Sequence, residues 1–119
     1  MAKILYVQTS GTDAPERLYG PFILGATAAA MGVEASIFFM IKGITVMKSG
    51  EAEKIQIGAF PTLREVIDQA ADAGVEFFVC EQSTQLLGME RGDFIGTARI
   101  AGAATLNDLA LEADAVISF

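Results

Sequence analysis

The sequence predicts a single α/β domain built on a parallel sheet of about five strands, with helices on both faces. Short apolar runs such as Ile4-Leu5-Tyr6-Val7, Ile37-Phe38-Phe39 and Phe77-Phe78-Val79 lack polar alternation, as strands buried on both faces do. Each run gives way to a turn and then to apolar residues at helical spacing, from one end of the chain to the other. The strand ending at Cys80, the only cysteine, is the one around which the rest is organised.

The first strand is Lys3–Gln8, and Thr9-Ser10-Gly11-Thr12-Asp13 is a turn at its carboxyl end. Pro15 fits a first helical turn. Over residues 16–31, Leu18, Phe22, Ile23, Ala26, Ala29 and Ala30 recur at helical spacing, Pro21 predicts a kink or short break, and Gly32 closes the helix. Residues 35–41 form a second strand ending in Lys42-Gly43. The stretch from 42 to 58 is the least legible; it predicts a short helix over residues 44–48 and a mobile loop after it, on an edge where loops cover sites. Pro61-Thr62 opens a helix with Leu63, Val66, Ile67, Ala70 and Ala71 on one face, stopped by Gly74. The cysteine strand follows, then a helix over residues 84–89 and a loop over residues 90–96. A short strand over residues 99–103, a helix over residues 105–112 capped by Thr105, and a strand over residues 115–119 complete the pattern.

At 119 residues the chain fits one domain. Apolar residues make up 52% of it, more than a soluble domain of this size usually carries, so part of that surface is expected between subunits. No apolar run approaches the ~20 residues of a membrane helix. The beginning of the chain lacks a signal-peptide pattern, and a cytoplasmic protein is the expectation. A net charge of −7 with scattered basic residues argues against nucleic acid as a partner. With one cysteine and no histidine there is no internal disulfide, no zinc cluster, and no Ser-His-Asp or Cys-His machinery within one chain.

Cys80 sits where reacting groups gather in open α/β sheets, at a strand's carboxyl end, and the following helix favours its thiolate while Glu81 opposes it. The same position suits a buried cysteine acting as a small hydrophobe, and both readings stay open. Thr9-Ser10-Gly11-Thr12 has the composition of a phosphate loop and equally of a plain turn. Lys42 and Lys48 are candidates for stabilising an anion, Lys42 the better one because it closes the strand beside the cysteine strand. Met31, Met40, Met47 and Met89 read as fillers. The acidic pairs Glu51/Glu53, Asp68/Asp72 and Glu112/Asp114 read as solvated surface.

The glycine-alanine helix ending Ala30-Met31-Gly32, the run Ile37-Phe38-Phe39 with Lys42-Gly43, the lone cysteine ending the middle strand, and the terminal Glu112-Ala113-Asp114-Ala115-Val116-Ile117-Ser118-Phe119 together resemble the DsrE/DsrF-like sulfur-relay family. The resemblance covers essentially the whole chain. It implies a flavodoxin-like domain that forms homo- or hetero-oligomers, commonly trimers or hexamers. It also implies that the thiol at Cys80 takes a sulfane sulfur as a persulfide and passes it from a donor to an acceptor protein. No cofactor is expected. Thr9, Ser10, Lys42, Gly43, Gln82 and Ser83 are expected to line the thiol's pocket. A resolving or acid–base group must come from another chain, from Ser83 or Lys42, or from water. The other readings are a module that binds a nucleotide, flavin or small anion in the same crevice, and an oligomerising subunit with a vestigial pocket.

Overall fold

A computed structural model describes residues 1–119. The strands β1 (Lys3–Gln8), β2 (Glu34–Phe39), β3 (Glu76–Cys80), β4 (Ala98–Ala101) and β5 (Ala115–Ser118) form one parallel sheet in the order β4-β3-β2-β1-β5. The helices are α1 (Tyr19–Ala30), α2 (Leu63–Asp72), α3 (Glu81–Leu87) and α4 (Ala103–Glu112). The α/β class and the five strands are those the sequence predicts.

From β1 to β4 the chain steps across the sheet in one direction, and it then returns to the far edge for β5. Right-handed crossovers therefore place α1 and α2 on one face and α4 on the other. Side chains agree. The Tyr6 hydroxyl donates to the Leu24 carbonyl of α1 at 3.3 Å. Phe22 of α1 stacks on Phe39 at 5.8 Å between ring centroids and meets Phe77 edge-on at 5.6 Å. The two-residue period of a strand then turns Leu5, Val7, Phe38, Phe78 and Cys80 toward the α4 face, where Phe38 and Phe78 stack at 6.4 Å.

α2 forms as its pattern requires, burying Leu63, Val66, Ile67 and Ala70, with the Thr62 hydroxyl accepting the Glu65 N–H at its start. Four details differ from the expectation. The break in the first helical stretch falls at Leu18, after a 3₁₀ turn over Pro15–Arg17, and not at Pro21. Pro21 is the third residue of α1, where a missing N–H costs no intrahelical bond. α3 begins directly at Glu81, three residues earlier than its apolar pattern shows, and the Thr84 hydroxyl donates to the Glu81 carbonyl at 2.6 Å within that first turn. Thr105 lies inside α4, whose first turn closes on the Gly102 carbonyl without a side-chain cap. The middle segment is two 3₁₀ pieces, Ile41–Met47 and Ala52–Lys54. It is not a free loop where it passes residues 93–95: the Ser49 N–H donates to the Asp93 carbonyl at 2.8 Å and the Ile95 N–H to the Met47 carbonyl at 2.9 Å, flanking a Lys48–Phe94 bridge.

The α4 side is thinly covered. α4 buries none of its residues, with Leu111 at 85% exposure, and all of β5 is exposed, including Val116 at 49%. No helix of the chain is long and apolar enough to cross a membrane.

Candidate functional site

β3 delivers Cys80 to the carboxyl edge of the sheet, and Cys80 is also the residue from which α3 starts. Its ladder partner is Ala101, the last residue of β4. On the other side the β2–β3 ladder ends at Phe39–Val79, so Met40 follows alongside the thiol. The thiol is a free cysteine and only 6% exposed. Its Sγ donates to Gln82 Oε1 at 3.7 Å, a weak bond, and the Gln82 amide reaches the turn at Gly102, where an added Cβ would lie 3.8 Å from Nε2. Gln82 is thus the polar side chain that lies against the sulfur.

Ser83 works next to this pair. Its hydroxyl accepts the Ile41 N–H at 2.7 Å and ties the turn after β2 to the helix after β3. Ile41 has φ of 56°, a left-handed conformation that a β-branched side chain adopts only at a cost, and its side chain is 45% exposed. Ile41→Gly removes the Cβ clash while leaving the N–H to Ser83, so that variant is expected to gain about 1 kcal/mol, a few degrees in a thermal melt. An unchanged or lowered midpoint would mean that the turn carries no strain.

The remaining expected residues spread along the sheet edge. The Thr9 hydroxyl donates to the Phe119 carbonyl at 2.9 Å and fastens the end of β5. The Ser10 carbonyl accepts Gln8 Nε2 at 2.9 Å, while Gln8 Oε1 is buried without a partner. Both residues follow β1, two strand spacings (~10 Å) from β3. Gly43 packs on the Gln8 carbonyl so closely that a Cβ there would sit 2.0 Å from the oxygen. Lys42 Nζ pairs with Asp13 at 3.1 Å, and that hydrogen bond and charge hold the Asp13 carboxyl below the usual carboxylate range.

Lys42 belongs to a cavity of about 470 Å³ that it lines with Thr12, Asp13, Thr45, Lys48, Leu87 and Met89 and that does not include Cys80. A second cavity, about 480 Å³, lies at the opposite pole, among Lys3, Glu34, Ser36, Glu76 and Glu112 at the strands' amino ends. The geometry therefore gathers Gln82 and Ser83 about the thiol, and places Lys42 with Thr12 and Lys48 in a separate hollow. Ile41 and Thr45 were missed as site residues. Nothing in the sequence marks Ile41, whose side chain is ordinarily excluded from its conformation; Thr45 had one signal, its position three residues after Lys42 in a short helical turn. No group of three or more cysteine and carboxylate side chains is placed to share a metal ion.

The model of the DsrE/DsrF-like family matches residues 2–119. The chain belongs to the DsrE/DsrF-like family. Among its curated relatives, the sulfur carrier protein DsrE2 of Allochromatium vinosum is 24% identical over 152 residues, with 94% of each chain covered. An uncharacterised protein of Methanocaldococcus jannaschii is 29% identical over 103 residues, which is 87% of this chain but only 38% of that relative's length. Among solved structures, the YchN protein of E. coli matches over the full length of both chains with a TM-score of 0.82 at 20% identity. A protein of unknown function from Methanobacterium thermoautotrophicum does so with a TM-score of 0.72 at 13% identity. These two likenesses establish the fold of this chain.

Proposed function

We propose that this protein is a sulfur carrier of the cytoplasm that accepts sulfane sulfur on Cys80 and passes it to a partner protein. The observation that carries this reading is the position of the chain's lone thiol, at the end of β3 and the start of α3, in a member of a family with a named sulfur carrier. The chemistry asks little of the fold. The Cys80 thiolate attacks the outer sulfur of a donor persulfide, R–S–SH; the donor's S–S bond breaks, R–S⁻ leaves, and Cys80 becomes Cys–S–SH. Attack by an acceptor thiolate on that outer sulfur reverses the sequence and restores the thiolate. No external oxidant or reductant is consumed.

Gln82 has two tasks in this mechanism. Its side chain swings aside to admit the donor, which a 3.7 Å contact to sulfur resists weakly. Its amide, which accepts from the thiol, can turn to donate from Nε2 to the perthiolate. The exposed α4–β5 surface, with Leu111, Val116 and Ile117 bare, supports a homo-oligomer whose subunits cover it. A lone thiol also suits the reducing cytoplasm.

Intact-protein mass spectrometry after incubation with a sulfane-sulfur donor tests the proposal. A reductant-sensitive gain of one sulfur, about 32 Da, is expected on the parent chain and not on Cys80→Ser. Equal loading of both forms would sink it, as would a folded parent chain that neither gains sulfur nor reacts with an alkylating agent.

A further inference from the structure

The cavity between the loop after β1 and the end of α3 is separate from the thiol: α3 rises roughly 1.5 Å per residue, and Leu87 in the cavity wall stands at the far end of that helix from Cys80. Its lining has a distinct character. Lys42 and Lys48 line it with the hydroxyl-bearing Thr12 and Thr45, against an apolar wall of Leu87 and Met89. The chain carries a net charge of −7, yet two lysines against one carboxylate leave this hollow positive. Lys3, Lys42, Lys54, Arg64 and Arg99 are paired with carboxylates; Lys48, like Arg17 and Arg91, is not.

The frame that carries these groups is tied on every side. Gly11 lies where a Cβ would come within 2.6 Å of the Lys42 carbonyl, so only glycine brings the β1 loop this close. The Thr45 hydroxyl accepts the Thr12 N–H at 3.1 Å and donates to the Lys42 carbonyl at 2.7 Å. Lys48 is fixed by its backbone bridge to Phe94. The Asp13 carboxylate, 3.1 Å from Lys42 Nζ, already shows what Lys42 binds at this rim: an anionic oxygen.

We propose that this cavity binds a small tetrahedral oxyanion between Lys42 and Lys48, the anion displacing Asp13 from Lys42. Lys42 and Lys48 line the same hollow, so their attractions for such an ion add there. The site goes beyond the sulfur-carrier reading and does not depend on Cys80. Inorganic phosphate and thiosulfate share the chemistry: saturation by thiosulfate alone makes the ligand a sulfur anion, and saturation by both makes it a general oxyanion site.

The test is an amide NMR titration of the full chain with each salt at constant ionic strength. Saturable shifts centred on Thr12, Thr45 and Lys48 are expected, with affinity weakened about tenfold in Lys48→Gln. Asp13→Asn, which removes the internal competitor, is expected to bind several-fold tighter, and Cys80→Ser to bind as the parent does. Absence of saturable shifts with both salts at millimolar concentration would overturn the proposal. So would parental affinity in either Lys48→Gln or Asp13→Asn, provided each variant keeps the parent's amide spectrum elsewhere. A chain that loses sulfur loading in Cys80→Ser but keeps this titration separates the two sites.

Discussion

Gly43→Ala is expected to cost about 3 kcal/mol or more and to lower the thermal midpoint by about 10 °C. The reason is main chain against main chain. A methyl at residue 43 would lie 2.0 Å from the Gln8 carbonyl oxygen and 2.7 Å from its carbon. A clashing side chain can rotate away, but this carbonyl cannot. It accepts the Met40 N–H at 3.0 Å, which continues the β1–β2 ladder beyond Phe39. The Gly43 N–H donates to the Met40 carbonyl at 2.9 Å, so residue 43 cannot recede either without opening that turn. Relief requires the 3₁₀ turn to lift off the end of β1, which would also disturb Ile44, Val46 and Met47, all buried. Gly50→Ala is a useful contrast. It has a positive φ of 87° but nothing within 4 Å of an added Cβ, so it pays only the conformational cost, about 1 kcal/mol. A chemical-denaturation series in which the two variants lose equal stability would show that the turn after β2 is looser than its contacts imply.

Gly43 also marks where local sequence patterns cease to determine the structure. The apolar runs of Lys3–Gln8 and of residues 75–80 gave up the strands, because a strand covered on both faces has no choice but to be apolar throughout. The α2 pattern gave up a helix, because Leu63, Val66, Ile67 and Ala70 share one side of a 3.6-residue turn. The stretch around Gly43 follows neither rule. Its residues are placed by long-range hydrogen bonds, such as Ile41 N–H to Ser83 Oγ, between positions 42 apart in the chain. No local period records such a bond. The cysteine was legible as a strand end, and Gln82 as its neighbour, since both follow from chain order alone. The grouping of Lys42 with Lys48 and Thr12 was not, because it depends on how the loop after β1 seats against the 3₁₀ turn through Gly11. The onset of α3 was hidden for a different reason: Glu81, Gln82 and Ser83 are polar on a helix whose first turn opens onto the site.

Phe22→Ala is expected to be the most damaging single change in the core, about 4 kcal/mol. Phe22 is fully buried in α1 and stands at the junction of three elements, stacked on Phe39 of β2 and edge-on to Phe77 of β3. Phe39 and Phe77 also meet edge-on at 6.2 Å, so the three rings form a closed triangle. Truncation removes two aromatic contacts worth about 0.5–1.5 kcal/mol each along with the ring's transfer energy. It also leaves a cavity between α1 and the β2–β3 pair, whose strands hydrogen bonding holds at fixed spacing so that the sheet cannot close upon it. The effect should reach the thiol. Phe77 precedes Cys80 by three residues on the same strand, and Phe39 precedes the Met40 that runs beside it. Looser packing beneath β2 and β3 is therefore expected to raise the rate at which Cys80 is alkylated under native conditions, in parallel with the fall in stability. Phe22→Leu, which refills most of the volume, should recover over half of the loss in stability and return alkylation toward the parental rate. If Phe22→Ala lowered stability as expected while the thiol reacted no faster, the cover over Cys80 would be set by Gln82 and its immediate neighbours alone, independent of the core below.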